Sequence, residues 1–540
     1  MTPPKTSTAP LSSFSLPVAF VALAIAASLV PYFLAPTGHD QNSYLFEAQR
    51  LLSGDELYGP HLSETNPPII IWFSTIPILL ARWLHGSSVF FLRLLVAAMV
   101  LASVAWCVRI LHRSATPLNP LSLGLLAIAI LAIELSIGPY DFGQREHLLI
   151  ILLLPYILAT ATGAVARISF SERCALGIAA GIAIWFKPQD VLILIALELF
   201  LALRARTLRR ALTPEFLTLV LTSAIILLLV SVLTPLYGTT TLPLLVDTYW
   251  GLGEMTTVAL ARTLRDYIMA GFALLLLCFA LRKSLRDPAT TAALVVSSTA
   301  ASLAYDIQHT TWAYHAYPHQ ALLLLALAYL LFDLLDPVFV NLTAKLAGRP
   351  HLLRSSVLVV SGFVALFFCA VAIRPRTVLS SAVSVSEEQP QWAALDRFFN
   401  QYRPQTSVYV FSTSVPPLSV AYNHGLTWGS RFAHLWMLPA IIQNEAGPTG
   451  PPVPFKQLSP ERLAALAALQ RTQSAEDLND WKPSIILVQQ CPPWPYCQAI
   501  KNRNFNMLAW FLQDPAFAAE WSHYRQLPGI RSFNVYKRVP

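Results

Sequence analysis

Stretches of about 17–25 mostly apolar residues recur from the N-terminus to about residue 373, and this repetition constrains the chain more than any motif in it. A helix of that length matches the ~30 Å hydrocarbon core of a bilayer, where only helices and closed barrels satisfy every backbone polar group. Spans are expected near 14–35, 89–110, 120–138, 147–166, 174–187, 191–204, 214–235, 267–282, 289–305, 317–335 and 355–373, about eleven in all. Composition agrees, since 12% of the 540 residues are charged against about 25% in an ordinary soluble protein. Neither a sustained heptad nor a glycine period is present, and 55% hydrophobic content excludes disorder for most of the chain. The expected fold class is a polytopic α-helical membrane protein.

Residues 67–84, PPIIIWFSTIPILLARWL, decide the topology. If this segment spans, Arg109, Arg113, the cluster Arg204, Arg206, Arg209, Arg210 and the cluster Arg282, Lys283, Arg286 all face outward. Cytoplasmic loops should instead hold the Lys and Arg excess. If it is interfacial or re-entrant, about 15 basic residues fall inside and about 7 outside over the first 373. Pro67, Pro68 and Pro77 also suit a non-spanning helix. The N-terminus is then cytoplasmic, and the net charge of +8 is mainly a topology signal that implies no nucleic acid.

Three units follow. Residues 1–13, rich in Pro, Ser and Thr, read as a disordered cytoplasmic tail; residues 14–373 form the transmembrane unit, with a first outer loop at 36–88; residues 374–540 lie outside. In this last unit 407–414, 483–490 and 532–539 read as strands, and 392–402, 459–472 and 504–525 as helices, an α/β layer with parallel pairing. Cys491 and Cys497, in CPPWPYC, are expected to form a disulfide in this oxidising location; a zinc pair is the alternative, with no second Cys/His pair nearby.

The expected outer face is dense in mixed polar and aromatic residues, including seven histidines (His39, His61, His85, His147, His309, His315, His319), whereas the cytoplasmic loops are simple and basic. Around 41–52, Tyr44, Leu45, Ala48, Leu51 and Leu52 follow helical spacing, which predicts an amphipathic helix on the membrane surface. Asp40 precedes it, either as an N-cap or as a general base at the lipid–water boundary. YDFGQREHLL (140–149) offers Arg145 for a phosphate and His147 as a donor, or an Arg–Glu pair capping a helix. Lys187, in FKPQD, faces a phosphate or snorkels to the interface. YDIQHTTWAYHAYPHQA (305–321) supplies His309, Tyr314, His315 and His319 as donor or sugar contacts or as an aromatic belt. A divalent metal between His315 and His319 is a weaker alternative, because Pro318 intervenes and no carboxylate has metal-motif spacing. Glu134 and Glu198 lie within spans, where an ionised group is costly.

An Asp at the exit of the first span, an amphipathic helix with a Tyr, then Gly-x-x-x-Tyr and a Pro-Pro-led interfacial helix resembles the GT-C glycosyltransferases, integral membrane enzymes that use polyprenyl-phosphate sugars. Protein O-mannosyltransferases and lipid A aminoarabinose transferases belong to them. The resemblance covers roughly 14–373 and implies that Asp40 is the base and Glu146 a second acidic catalytic residue. Donor phosphate or sugar contacts would fall to Tyr44, Glu64, Asn66, Arg145, His147, Lys187, His309, Tyr314 and His315. The aminoarabinose transferase branch has Lys-Pro-Pro where this chain has Asn66-Pro67-Pro68, so a cation is missing there.

The implied activity is that of a glycosyltransferase, hexosyl or pentosyl, in a bacterial inner membrane. It would pass a sugar from a polyprenyl-phosphate donor to a lipid, glycan or protein acceptor on the outer face, with inversion and with no certain cofactor. A lipid or polysaccharide transporter or flippase, and a non-catalytic envelope-assembly component, are the rival readings. Against a transporter, no internal repeat is evident and the polar residues gather at one face.

Overall fold

In a computed structural model the described residues are 15–207, 209–253, 256–310, 312–346, 392–447, 455–491, 499–502 and 504–539. Thirteen helices are described before residue 347: α1 (Ser15–Leu34), α2 (His39–Leu51), α3 (Pro68–Leu84), α4 (Ser88–His112), α5 (Pro120–Leu135), α6 (Arg145–Ala161), α7 (Phe170–Phe186), α8 (Val191–Ala205), α9 (Pro214–Leu233), α10 (Leu242–Thr248), α11 (Thr257–Ala280), α12 (Pro288–Gln308) and α13 (Tyr317–Leu346). Ten of the expected spans coincide with helices; the eleventh, 355–373, and the expected tail 1–13 lie outside the described residues. Four of the ten satisfy the length and apolarity of a span unaided. The span expected at 267–282 starts earlier, at Thr257, because Thr256 caps it by accepting from Ala259 N.

Local sequence sets the helix starts. Asn119 accepts from Leu121 and Ser122 N, and Asp287 from Thr290 N; each precedes a proline whose missing N–H costs nothing in a first turn. The strongly buried helices α5 and α6 sit at the centre, and their core joins α7, α8, α12 and α13. On α9 and α11 most large apolar residues are exposed, as lipid-facing helices require.

α3 begins and ends on one face. Ahead of it, Ser63 N donates to Arg431 O (2.9 Å). Beyond it, Ser88 Oγ meets the Tyr422 hydroxyl (3.1 Å), and Arg93 binds the carbonyls of Phe33 and Ala35 at the end of α1. Both flanks of α3 thus contact the C-terminal unit, at Arg431 and Tyr422. At the opposite helix ends lie the pairs Arg109–Glu172, Arg173–Glu215 and Arg286–Asp336. Glu198, expected within a span, is held by Arg210 (3.0 Å) and by the Tyr156 hydroxyl (2.8 Å).

The C-terminal unit carries a five-stranded sheet, β1 (Ser407–Phe411), β2 (Thr427–Trp428), β3 (Ile485–Gln489), β4 (Tyr524–Ile530) and β5 (Phe533–Arg538), in the order β2-β1-β3-β5-β4. β1 pairs parallel with β2 and β3, but β5 is antiparallel to both β3 and β4, so the sheet is mixed where parallel pairing was expected. The segment 504–525 is not one helix. It divides into Met507–Phe511 and Pro515–Trp521, because Pro515 has no N–H to donate and Asp514 caps the second piece, and 524 onward is strand. Cys491 is disulfide-bonded; Cys497 lies outside the described residues.

Candidate active site

The ends of α1, α5 and α12 and the starts of α6 and α13 meet on the face that the C-terminal unit covers. Between the two units lies a cavity of about 580 Å³. Gly38 makes the first wall possible. A Cβ there would sit 2.2 Å from Gln41 Oε1 and 2.5 Å from Tyr140 O, and α1 turns through 74° into α2 at this point. α2 was expected on the membrane surface; it is instead enclosed, with Gln41, Asn42, Ser43, Tyr44, Leu45, Glu47 and Ala48 all buried. Its polar side is covered by the C-terminal unit, to which Asn42 Nδ2 donates at Ser419 Oγ (2.6 Å) and Asn423 Oδ1 (3.3 Å).

Asp40 lies in the first turn of α2 rather than before it, and Gly38 takes the N-cap place, so the carboxylate caps nothing. Its Oδ2 accepts from Gln144 Nε2 (2.8 Å) and the Tyr314 hydroxyl (2.9 Å), and His39 Nε2 is 3.3 Å from Oδ1. Burial pushes the Asp40 pKa up, but His39, Gln144, Arg145 and Tyr314 together outweigh it and hold the carboxyl below its ordinary value. The group is therefore ionised at neutral pH.

Arg145 opens α6 and is the only Lys or Arg among the described residues lining the cavity. It is buried, and among the described residues it has neither an ion pair nor a hydrogen-bond partner for Nε. Asp40 and Glu146 lie within electrostatic reach of Arg145 but form no ion pair with it, so this buried guanidinium is left to take an anion from outside the chain. The start of a 17-residue helix adds unpaired N–H groups and a positive dipole end at the same place. Tyr44 from α2 and Tyr249 from the α10–α11 connection also line the cavity and lie within electrostatic reach of Arg145. Burial pushes the Tyr249 phenol up to about 12, so it is a neutral donor.

Of the residues singled out from sequence, Asp40, Tyr44, Glu64, Asn66, Arg145 and Tyr314 line the cavity, and Glu146, His147, Lys187, His309 and His315 do not. Glu64 Oε1 gathers four donors from Thr65 and Asn66, including both backbone N–H groups at 2.6 Å, which fixes the loop ahead of α3. Glu146 lies next to Arg145, fully buried, and pairs with Lys187, itself 1% exposed; Lys187 thus neither snorkels nor faces the cavity. His315 Nε2 stands 3.4 Å from the same Glu146 oxygen. His147 Nδ1 accepts from Gly143 N (3.2 Å), and His309 takes the left-handed position that ends α12. His319 binds Ser298 (2.9 Å) and stacks on Tyr267, apart from His315, so the pair does not converge on an ion. Among the described residues no group of three His, Cys, Asp or Glu side chains could hold a metal. Glu134 accepts from Ser103 (2.7 Å) and is absent from the lining.

Gln144, Tyr249, Trp312, Trp392 and Trp436 were not singled out as site residues. Gln144 stands within the segment quoted for its charges; Tyr249 carries no local signal at all. The aromatic segment 423–439, with Arg431, His424 and His434, is expected from sequence to face the membrane or the acceptor or to pack on the membrane unit, and His434 lines the cavity. Among the described residues His434 Nδ1 has no hydrogen-bond partner, and burial pushes the His434 pKa down to about 4.

No protein-family model matches the chain, and no curated protein does. Solved structures do. The crystal structure of ArnT from Cupriavidus metallidurans bound to undecaprenyl phosphate aligns with a TM-score of 0.54 at 13% identity, over 97% of this chain and 98% of that one. The apo state of the same protein aligns at 0.53 and 14% identity, over the same shares. Arabinofuranosyltransferase AftD from Mycobacteria reaches 0.42 at 14% identity, over 99% of this chain and 41% of its own. The ArnT alignments show that this chain shares the fold of that protein over nearly its whole length.

Proposed function

We propose that the chain is a membrane glycosyltransferase that moves a sugar from a polyprenyl phosphate to an acceptor hydroxyl in this cavity, on the outer side of a bacterial inner membrane. The observation that carries the reading is the pairing, in one cavity, of an ionised carboxylate held by two donors with a buried arginine that forms no ion pair among the described residues. The ArnT structure with undecaprenyl phosphate supports the donor class, because that protein shares this fold.

In the reaction the acceptor oxygen attacks the anomeric carbon, its proton passes to Asp40, and the bond from that carbon to the phosphate oxygen breaks. Asp40 Oδ2 is occupied by Gln144 and Tyr314, so the proton goes to Oδ1, the oxygen that His39 Nε2 approaches at 3.3 Å. A carboxylate with a low pKa is a weak base toward a resting hydroxyl. It suffices once the new C–O bond is forming and the hydroxyl has become acidic. The electron pair leaves with the polyprenyl phosphate, whose growing charge falls to Arg145 and the start of α6; such stabilisation is usually the largest catalytic contribution. Displacement from the face opposite the phosphate inverts the anomeric centre. Tryptophans from both units, Trp312, Trp392 and Trp436, offer apolar faces to sugar rings.

Purified protein incubated with labelled polyprenyl-phosphate sugars and membrane acceptors tests the reading. Asp40→Asn should abolish transfer while the protein still inserts and folds; turnover near wild type in that variant would overturn the assignment.

A further inference from the structure

Residues 242–253, between α9 and α11, form a strap that five side-chain hydrogen bonds fasten to the C-terminal unit. Asp247 receives Lys456 Nζ on Oδ1 and Arg462 Nε on Oδ2, both at 2.8 Å. Lys456 Nζ also reaches Val246 O (3.1 Å). Gln443 Nε2 donates to Gly251 O (2.8 Å) and Lys501 Nζ to Gly253 O (2.7 Å). Trp250 packs edge-on against Phe455 with ring centres 5.1 Å apart, and its Nε1 donates to Asp247 O (2.7 Å), closing the strap on its own clasp. Gly251 lets the strap lie flat, since a Cβ there would come within 2.5 Å of Ala440 N.

Chain connectivity therefore joins the strap to the membrane helices, while its side-chain contacts fasten it to the other unit. Tyr249 sits between Asp247 and Gly251, and its phenol is in the cavity, near Arg145, without a hydrogen bond to any described residue. Arg145 comes from α6, Tyr44 from α2 and Tyr249 from the strap. Three elements thus contribute a cation and two hydroxyl donors to one cavity wall, with both phenols within electrostatic reach of Arg145.

We infer that Tyr249 is a direct ligand of the anion held by Arg145, and that Asp247, by clasping Lys456 and Arg462, is the positioning residue that keeps Tyr249 there. The inference rests on the reading of this cavity as a polyprenyl-phosphate site. It makes the C-terminal unit a working part of the donor site, because a shift of that unit carries the strap and its phenol with it.

The full chain in nanodiscs, titrated with undecaprenyl phosphate, tests both parts. Tyr249→Phe should weaken binding about tenfold or more, the range for a lost hydrogen bond to a charged group. Asp247→Asn should weaken it in the same direction, and the double variant should bind no more weakly than Tyr249→Phe alone, because Asp247 acts only through Tyr249. Unchanged binding in Tyr249→Phe, with Arg145→Gln weakened, overturns the inference and leaves the site reading standing. Additive losses in the double variant overturn the positioning role. If the wild-type chain fails to bind undecaprenyl phosphate, both the inference and the site reading fall. A melting curve for Asp247→Asn equal to wild type shows that the strap, and not the fold, was changed.

Discussion

The Tyr314 hydroxyl donates to Asp40 Oδ2 at 2.9 Å, joining the first turn of α2 to a residue 274 positions later at the threshold of α13. Because the phenol donates to the ionised carboxylate, it lowers the Asp40 pKa. Tyr314→Phe should raise that pKa by about 1 unit, from a hydrogen bond to a charged group worth roughly 1.5 kcal/mol. The acid limb of the pH–rate profile should then move to higher pH. An unmoved limb would separate Tyr314 from the base.

The Glu146–Lys187 pair makes the opposite kind of prediction. Both groups are fully buried, so removing one partner strands the other charge at a cost of about 3–5 kcal/mol. Glu146→Gln and Lys187→Met should each lower the melting temperature, while Glu146→Gln/Lys187→Met should recover most of the loss and retain transfer activity. A double variant that is stable yet inactive would instead make Glu146 part of the chemistry.

Arg431 ties the C-terminal unit together and to the loop ahead of α3. Its Nε meets Asp477 Oδ1 at 2.6 Å, and its carbonyl accepts from Ser63 N at 2.9 Å. Arg431→Met leaves Asp477 buried beside Ser430 without a cation. A stability loss of about 3 kcal/mol or more is expected, with a smaller loss in Arg431→Met/Asp477→Asn, both read from thermal unfolding.

His434 sets an acid limit on stability. Its folded pKa is about 4, against about 6.5 for an unfolded histidine. Between these values the unfolded chain binds a proton that the folded chain refuses, so stability falls as pH is lowered from about 6.5 toward 4. His434→Gln should flatten that part of the curve. Melting temperatures at pH 7.5 and 4.5 for the two proteins check it.

The residues at positions 145 and 146 show where sequence reading stops. Both stand out as charges at a helix start, and the resemblance assigns both to the site. One residue rotates a helix by about 100°, which turns Arg145 to the cavity and Glu146 to Lys187 in the core. The choice depends on how α6 packs against α7, a relation that local spacing does not encode. Asp40 was legible because its place at the exit of a span is itself a sequence property, but its hold on Gln144 and Tyr314 was not. Tyr249 was illegible for a similar reason, since its strap is placed by contacts more than 190 residues away, such as Gln443 to Gly251.

Hydropathy determined that the chain has helices apolar enough to cross a membrane, and where most of its helices run. Those properties follow from the cost of placing polar backbone and charge in hydrocarbon, which each segment meets largely on its own. The cavity came only from tertiary structure. Its walls belong to α2, α6, the strap, the start of α13 and the C-terminal unit. Their polar groups find partners across hundreds of residues, and burial makes those pairings obligatory.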